Sequence, residues 1–296
     1  MRTVCGKHAL VTGAASGIGR AIALALADRG ADLFLLDVDL PGLADVAWQA
    51  RRKGVRVTVR CCDLAVPSEI SESVDALMRS RRPLDVLVNN AGIAYYGPTH
   101  LMSASQWDRL LAVNLLGPIQ LTCELLPGLL DRSEAHVLNV SSIAGLVASG
   151  RLAAYHVSKY GLIGFSESLR AEYGPRGLGV TALCPGLVKT DLFQTAAHGH
   201  PDKPLPKPPD WLCASPERVA RRAVRAILRD EGLVLVTPMA HVLWFIKRLS
   251  PGLLDYCQRF RRRRSRPRKR AGPVAIETET HGSPPAEQER QAPLAA

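Results

Sequence analysis

Short apolar runs alternate with longer segments of helical periodicity through the first 240 residues. The runs have the length of buried strands, and they are residues 8–11, 32–36, 55–61, 84–88, 135–140, 179–184 and 233–237. The segments between them have helical length and periodicity, and they are residues 18–28, 41–53, 68–81, 105–130, 152–173 and 216–229. This alternation predicts an α/β fold, a single doubly wound parallel sheet of about seven strands with helices on both faces, over residues 1–240.

Three local features refine this pattern. Ser68 is predicted to cap the third helix, while Pro118 and Pro127 are predicted to bend or divide the fourth. The segment 191–216 is rich in proline and is predicted to be a long loop that closes over a site. Within it, His198 and His200 lack nearby carboxylate or thiolate partners, so we predict no metal site.

The chain beyond residue 237 changes character. Residues 238–249 predict an amphipathic helix within an extension over 241–260, with Lys247 and Arg248 opposite its apolar positions, which are Val242, Leu243, Phe245, Ile246 and Leu249. Residues 261–270 then carry eight basic side chains and no acidic ones, and residues 271–296 have a composition typical of disorder. The basic segment suits an anionic membrane surface. Packing of the helix on the domain of residues 1–240 or in a subunit interface is an equal alternative, and nucleic-acid binding is disfavoured because no aromatic residues interleave the arginines.

Composition limits the cellular context. The 296 residues are 47% apolar, and most of the net charge of +11 lies in that basic run. The seven cysteines show no metal-type spacing and most lie in apolar segments, which indicates reduced thiols. A strand begins by residue 8, which leaves no room for a signal peptide, and no uninterrupted apolar stretch reaches the length of a membrane span. We therefore expect a cytoplasmic protein, with a peripheral position on the inner face of a membrane as an option.

A glycine turn follows the first predicted strand. Residues 12–19 read T-G-A-A-S-G-I-G and lead directly into a helix, an arrangement that lets backbone amides approach a phosphate. The spacing G-x-x-x-G-x-G differs from the standard dinucleotide pattern, so a tight turn that serves packing alone is the competing interpretation. Asp37 ends the second strand 18 residues after Gly19, where a doubly wound fold places an acid on the adenosine ribose. NAD is favoured over NADP, because the carboxylate of Asp37 would repel a 2′-phosphate and Ser16 supplies no positive charge to offset this repulsion. The competing interpretation is that Asp37 is only a solvated turn residue.

Several polar residues follow the ends of predicted strands. In a parallel sheet these ends share one edge, where ligands bind. The residues and short segments concerned are Asp63, Asn89 to Gly92, Ser142 and Pro185-Gly186. Their convergence predicts a site at that edge.

Tyr155 and Lys159 are four residues apart, so a helix would place both on one face. An ammonium beside the phenol favours the phenolate and would lower the pKa of Tyr155, which suits proton transfer to or from an alcohol or carbonyl. Ser142 lies 13 residues before Tyr155, after a strand, and could bind the same substrate oxygen. Taken alone, the Tyr–Lys pair is more often an ordinary pair on a helix surface. Asn114, a polar residue among leucines, either pins a helix kink or holds a water in a proton path.

Together these motifs resemble the short-chain dehydrogenase/reductase family over roughly residues 4–240. The matching segments are T-G-A-A-S-G-I-G at Thr12, N-N-A-G at Asn89, Asn114, N-V-S-S with Ser142, Y-H-V-S-K at Tyr155 and P-G-L-V-K-T from Pro185. The resemblance implies a Rossmann-type sheet and a catalytic tetrad. Tyr155 would be the general acid/base, Ser142 would orient the substrate oxygen, Lys159 would bind the nicotinamide ribose and lower the pKa of Tyr155, and Asn114 would hold a relay water. Ser141 is the adjacent alternative to Ser142.

The same resemblance implies a cofactor site. Asp63 and Leu64 match the adenine contact, Asn90 the contact from the central strand, and Thr190 the carboxamide contact. The full set of matching cofactor positions is Gly13, Ser16, Gly17, Ile18, Gly19, Asp37, Asp63, Leu64, Asn90, Tyr155, Lys159, Pro185, Gly186, Val188 and Thr190.

The expected function is hydride transfer between NAD and an alcohol or ketone group of a lipophilic substrate, in a homodimer or homotetramer. Tyr95, Tyr96 and Trp211 favour an apolar substrate only weakly. The alternatives are an NADPH-dependent reductase of ketoacyl or other carbonyl substrates and a cofactor-sensing binding protein whose basic tail docks a partner.

Overall fold

The architecture is a parallel sheet covered on both faces by helices. The structure, a computed structural model, describes residues 1–190, 192, 196–199, 209–253 and 256. The strands of these residues are β1 (His8–Thr12), β2 (Asp32–Asp37), β3 (Val57–Cys61), β4 (Val86–Asn89), β5 (Tyr95–Tyr96), β6 (Ala135–Val140), β7 (Leu178–Cys184), β8 (Ala197–His198) and β9 (Leu233–Leu235). The α-helices are α1 (Gly17–Ala27), α2 (Leu40–Arg51), α3 (Pro67–Arg79), α4 (Ala104–Leu111), α5 (Gly117–Leu130), α6 (Ala153–Tyr173), α7 (Pro216–Arg229) and α8 (Pro238–Leu249).

The sheet has the predicted topology. Within the described residues it contains seven strands in the order β3-β2-β1-β4-β6-β7-β9, and every neighbouring pair is parallel. The order reverses beside β1, which is the switch point where doubly wound sheets open a crevice for ligands. The predicted doubly wound α/β fold of about seven strands is therefore confirmed.

Apolar side chains on both faces of the strands hold the layers together. One buried cluster joins the sheet to α1, α2 and α7 through residues such as Leu26, Leu43 and Val224. A second cluster joins the other face to α3, α5 and α6 through residues such as Ile70, Leu121 and Leu169. Burial on both faces explains why the strands read as continuous apolar runs instead of alternating ones.

The helix ends differ from the prediction in two places. The third helix begins at Pro67 after Val66, without a side-chain cap, so the predicted cap at Ser68 is wrong. Proline suits a first helical turn because its missing N–H has no partner to lose there. The fourth helix is divided as predicted, but by a π-helical turn, Ala112–Leu116, which contains Asn114 and ends just before Pro118 in the first turn of α5, whereas Pro127 lies inside α5 without interrupting it.

The helical run Ala104–Leu130 is long and apolar enough to cross a membrane by length and composition. Its residues Leu121, Leu125 and Leu129 are, however, buried among α3 and the sheet. The run therefore contributes the core helix α5 to this fold.

A buried polar pair links the two central strands. Asn89 of β4 and Asn139 of β6 are register partners, and Asn89 Nδ2 donates to Asn139 Oδ1 over 2.8 Å. Asn89 Nδ2 also donates to Thr122 Oγ1 of α5, and Asn139 Nδ2 donates to Ser166 Oγ of α6. These bonds connect the centre of the sheet to the helices that cover it.

Helix α8 has the predicted limits, residues 238–249. Thr237 caps it by accepting a hydrogen bond from the backbone N–H of Ala240. It belongs to a compact unit formed by Met1–Leu254. The divisions at residues 240 and 260 stay predictions, and the basic run, the predicted disordered tail and half of the predicted closing loop lie outside the described residues.

Candidate active site

A cleft of about 980 Å³ opens at the carboxyl edge of the sheet. This volume is within the range of pockets that hold cofactors and small substrates. Most of the predicted site residues line it, namely Gly13, Ser16, Gly17, Ile18, Asp37, Asp63, Leu64, Asn90, Tyr155, Lys159 and Thr190. Residues separated by up to 177 positions, from Gly13 to Thr190, thus share one cavity, as the strand-end argument predicts.

The glycine turn between β1 and α1 forms one wall. Gly13 has a φ of +63°, and a Cβ built on it would lie 2.7 Å from the Cα of Ala91. Gly19 lies behind the turn, where a Cβ would come within 1.9 Å of the carbonyl oxygen of Gly13. Gly17 and Ile18 begin α1 at the cleft, so the helix N-terminus and its amides are available to an anion. A side chain at Gly13 or Gly19 would therefore disturb a cradle that fits a cofactor phosphate.

Asp37 stands at the end of β2. Its carboxylate accepts hydrogen bonds from the backbone N–H of Ala15, over 2.9 Å, and of Asp39, over 3.1 Å. These contacts fix the carboxylate beside the glycine turn, where it also lines the cleft. The geometry suits the predicted contact with ribose hydroxyls and is less typical of a freely solvated turn residue.

Asn90 and Thr190 bring two further segments to the glycine turn. Asn90 donates through Nδ2 to the carbonyl oxygens of Thr12 and Gly13, and through its backbone N–H to Thr12 Oγ1. The methyl group of Thr190 lies 3.3 Å from the position that a Cβ on Gly17 would take. The three segments therefore meet at one end of the cleft.

Sequence reasoning missed an ion pair at the predicted adenine position. Arg109 of α4 lies with Nη1 2.7 Å from Asp63 Oδ2, and both residues line the cleft. Asp63 also accepts a hydrogen bond from the backbone N–H of Ala65. No local pattern points to Arg109, because its partner is 46 residues away and in another element.

Tyr155 and Lys159 lie on the first turns of α6 and are only 5% and 4% exposed. Lys159 Nζ donates to the carbonyl oxygen of Val140 over 2.9 Å and lies 5.7 Å from the centre of the Tyr155 ring. Ser142 caps the short helical turn Ile143–Gly145 and hydrogen-bonds the side chain of Tyr155. The predicted Ser–Tyr–Lys group is therefore assembled at the cleft, which Tyr155 and Lys159 line directly, whereas Ser142 reaches only the Tyr155 side chain and its neighbour Ser141 is in the lining.

The effect of Lys159 on Tyr155 differs from the prediction. Burial raises the pKa of Tyr155 to about 12, and the hydrogen bond from Ser142 opposes this rise without reversing it. Burial likewise lowers the pKa of Lys159 to about 8. The predicted lowering of the Tyr155 pKa is therefore wrong for the protein without cofactor. Burial of the phenol outweighs the charge of the Lys159 amine, which is hydrogen-bonded to the carbonyl oxygen of Val140.

Ser141, the alternative to Ser142, has another role. Its hydroxyl donates to the carbonyl oxygen of Lys159 over 2.9 Å and is buried. It ties the end of β6 to α6, which leaves Ser142 as the serine that meets the tyrosine side chain.

Asn114 is fully buried in the π turn behind the cleft. Its Nδ2 donates to the carbonyl oxygen of Ile93 and to Ser158 Oγ, and its Oδ1 accepts from the backbone N–H of Ile93. A Cβ on Gly92 would lie 3.4 Å from Asn114 Oδ1 and 3.6 Å from Lys159 Nζ. Asn114 therefore fixes the loop after β4 close to Lys159, while its role in holding a water stays a prediction.

Three predicted cofactor positions support the cleft from outside its lining. The carbonyl oxygen of Pro185 accepts a hydrogen bond from Ile143, next to Ser142. Gly186 packs so closely on Thr237 that a Cβ would lie 2.2 Å from its Oγ1. Val188 packs against the core and bridges to Ala214.

His156 is a second residue that sequence reasoning missed. Its Nδ1 lies 2.7 Å from the carbonyl oxygen of Ala144, and its Nε2 accepts from the backbone N–H of Ser149 over 2.9 Å. The imidazole thereby joins the loop that carries Ser142 to the helix that carries Tyr155. Its position directly after the tyrosine is the only signal in the sequence.

Comparisons with known proteins identify the family. The family model described as short chain dehydrogenase matches residues 7–200. The D-threitol dehydrogenase of Mycolicibacterium smegmatis is 37% identical over 222 residues, which are 74% of this chain and 85% of that protein. The chain belongs to the short-chain dehydrogenase/reductase family.

Two solved structures extend the comparison. A short-chain dehydrogenase/reductase from Burkholderia phymatum in complex with NAD has a TM-score of 0.76 at 25% identity and covers 86% of this chain and 97% of its own. A short-chain dehydrogenase from Sphingobium yanoikuyae in complex with NADPH has a TM-score of 0.71 at 25% identity, with 91% and 100% covered. These relatives support a nicotinamide cofactor for the family without deciding between its two forms.

Within the described part of the chain, no group of three or more His, Cys, Asp or Glu side chains is placed to hold a metal ion. His198 pairs through β8 with β5, and His200 lies outside the described residues.

Proposed function

We propose that this chain is an NAD-dependent oxidoreductase that interconverts an alcohol and a ketone on a lipophilic substrate. The observation that carries the proposal is a single cleft lined by Tyr155, Lys159, the glycine turn and Asp37, with Ser142 hydrogen-bonded to the Tyr155 side chain. A bound nicotinamide cofactor supplies the hydride acceptor or donor for the reacting carbon. The side chains of this protein position the substrate and move the proton.

Tyr155 handles the proton of the substrate oxygen. With a pKa of about 12, its hydroxyl carries its proton at neutral pH and can donate it to a ketone oxygen. In the oxidation direction the hydroxyl must first ionise, which the hydrogen bond from Ser142 favours. Lys159, whose pKa of about 8 lies near working pH, can supply a positive charge beside the cofactor ribose and the tyrosine.

Asp37 supports NAD as the preferred cofactor. Its carboxylate is fixed beside the glycine turn, where it can accept hydrogen bonds from both ribose hydroxyls and would repel a 2′-phosphate. Ser16 of the same turn contributes no positive charge that would compensate this repulsion. Because one relative was solved in complex with NADPH, an NADPH-dependent carbonyl reductase is the alternative, and the screen with both cofactors tests it.

The surroundings of Tyr155 support a lipophilic substrate. Its ring packs in an apolar cluster with Ala94, Ala144, Leu152, Leu192 and Ala196. Apolar walls around the reacting oxygen favour a substrate whose remaining surface is apolar. A polyol is the second candidate, because the relative named D-threitol dehydrogenase is 37% identical.

We also infer a cytoplasmic homodimer or homotetramer. Leu116 and Val157 are exposed apolar residues of neighbouring elements, the π turn and α6. Exposed apolar side chains on adjacent helices are typical of subunit interfaces. Light scattering on the purified protein would measure the assembly.

The proposed reaction is tested by a screen of steroids, retinoids, acyl alcohols, sugars and polyols, with NAD(H) and NADP(H), at the absorbance of the reduced cofactor. We expect turnover of an apolar alcohol or ketone with NAD(H), and loss of at least about a hundredfold in kcat for Tyr155→Phe with cofactor binding retained. Wild-type turnover in that variant would refute the role of Tyr155. Cofactor binding without turnover of any substrate would favour the sensing protein instead.

A further inference from the structure

Helix α8 begins beside two loops that carry predicted site residues. Thr237, which caps the helix, packs so closely on Gly186 that a Cβ on this glycine would lie 2.2 Å from Thr237 Oγ1. The neighbouring carbonyl oxygen of Pro185 accepts a hydrogen bond from the backbone N–H of Ile143 over 2.8 Å. This bond joins the loop after β7 to the loop after β6, residues 142–147, which we call the Ser142 loop. The start of α8 is therefore connected to both.

The body of α8 packs on the Ser142 loop. Trp244 of the helix and two residues of the loop, Ile143 and Leu146, pack in one apolar cluster. Ala240, one turn before Trp244, belongs to the same cluster and is fully buried. The helix therefore packs on the rest of the domain, which is one of the two alternatives that the sequence left open, and it shares its buried side with the loop.

Tyr160 of α6 connects the Ser142 loop to α8 through hydrogen bonds. Its hydroxyl donates to the carbonyl oxygen of Leu146 over 2.6 Å. Lys247 of α8 donates through Nζ to the oxygen of the same hydroxyl, and its Nζ lies 4.9 Å from the centre of the Tyr160 ring. Hydrogen bonds that share a hydroxyl polarise one another, so the amine of Lys247 strengthens the bond from Tyr160 to Leu146.

The Ser142 loop needs such contacts to keep its conformation. It contains one short helical turn, Ile143–Gly145, and a turn of this length is not stable by itself. His156 of α6 hydrogen-bonds the carbonyl oxygen of Ala144 in the middle of the loop. The contacts of α8 are made at the residues on either side, Ile143 and Leu146. The position of Ser142, the first residue of the loop, therefore depends on α8 as well as on α6.

We propose that α8 positions the Ser142 loop so that the Ser142 hydroxyl meets the side chain of Tyr155. Trp244, Lys247 and Tyr160 are the positioning residues, and none of the three lines the cleft. Helix α8 lies after residues 7–200, which match the family model, so this role does not follow from the family resemblance. The consequence for turnover rests on the proposed function, whereas the support of the loop by α8 does not.

The first test is hydrogen–deuterium exchange of the full-length, cofactor-free protein. The backbone N–H groups of Ile143 and Val147 are hydrogen-bonded within and beside the loop, so their exchange measures its opening. Trp244→Ala should accelerate exchange of residues 142–147 at least about tenfold more than that of β1. Trp244→Phe keeps an apolar ring and should restore most of the protection. Leu249→Ala, on the side of α8 where this leucine is 74% exposed, is the matched control and should exchange as wild type does.

The second test is the turnover of a substrate found in the screen. Trp244→Ala and Tyr160→Phe should each lower kcat at least about tenfold, because a displaced Ser142 no longer orients the reacting oxygen. The dissociation constant of NADH should stay within about twofold of wild type, since neither side chain lines the cleft. Lys247→Met should lower kcat in the wild-type background and have no further effect in Tyr160→Phe, because the amine acts through the tyrosine hydroxyl.

The positioning role would be overturned by wild-type exchange of residues 142–147 in Trp244→Ala, or by equal acceleration in the loop and in β1. Faster exchange of the loop with kcat at the wild-type value would overturn it as well. A wild type that turns over no substrate would instead contradict the proposed function, and the exchange rates would still decide whether α8 holds the loop.

Discussion

The buried amine of Lys159 should make the stability of this protein depend on pH. The pKa of Lys159 is about 8 in the folded chain, against an ordinary lysine value of 10.5, because burial disfavours its charged form. Between these values the unfolded chain binds more protons than the folded one. The free energy of unfolding should therefore rise with pH across this window.

The size of the effect follows from the two values. The gap between 10.5 and about 8 corresponds to about 3 kcal/mol of destabilisation while Lys159 stays protonated. About 2 kcal/mol of this should be relieved between about pH 7 and pH 9.5. Cys184, whose pKa burial raises to about 12, acts in the opposite direction above pH 9. Because wild type and the Lys159→Met variant both contain Cys184, this contribution largely cancels in the difference between their unfolding free energies.

The assay is urea unfolding of the cofactor-free protein at several pH values for wild type and Lys159→Met. The difference in unfolding free energy, wild type minus variant, should increase by about 2 kcal/mol from about pH 7 to 9.5. Lys53→Met, which removes a lysine at the surface, should keep the wild-type profile. Parallel profiles for wild type and Lys159→Met would refute the assignment of a depressed pKa to this amine.

Three further outcomes are expected. Asp37→Ala should reduce the preference for NAD over NADP by at least about tenfold in kcat/KM, since a repelling charge is removed, and a wild type that already prefers NADPH would contradict this. Gly19→Ala should lower the unfolding free energy by at least about 2 kcal/mol because its Cβ meets the Gly13 carbonyl, whereas Gly128→Ala, with open space at its Cβ, should raise it by up to about 1 kcal/mol in the same denaturation assay. His156→Ala should lower the unfolding free energy by about 1–3 kcal/mol, because two backbone groups lose their hydrogen-bond partner. The variant should also lower kcat more than it weakens cofactor binding. Equal losses in kcat and in cofactor affinity would indicate that His156 has only a structural role.

The fold and the gathering of the site could be predicted because their signals are local. The apolar run before Thr12, the glycines after it and the capped segment at Pro238 each mark an element boundary. The parallel order of the strands then brings their ends to one edge, so the meeting of Asp37 and Tyr155 in one cleft followed from topology alone.

The features that could not be predicted depend on how deeply a side chain is buried and on contacts between residues far apart in the sequence. The pKa of Tyr155 depends on its burial and on the position of the Lys159 amine. A hydrogen bond to the carbonyl oxygen of Val140 fixes that position, and no sequence pattern predicts this bond. The ion pair of Asp63 with Arg109 joins separate elements and leaves no pattern in either. The side of α8 that faces the protein was equally open, since Trp244, which packs inward, is not one of the apolar positions of the predicted helix.

The paired amides of Asn89 and Asn139 have a consequence for how the chain finds its native alignment. Apart from Asn89, His136 and Asn139, strands β4 and β6 are apolar on both faces, so sliding one along the other would still bury hydrophobic side chains. Only the native alignment brings Asn89 Nδ2 to Asn139 Oδ1, and any other alignment would lose this buried hydrogen bond at a cost of about 1–3 kcal/mol. The pair therefore favours the native register of β4 and β6 over other registers that would bury the same hydrophobic side chains.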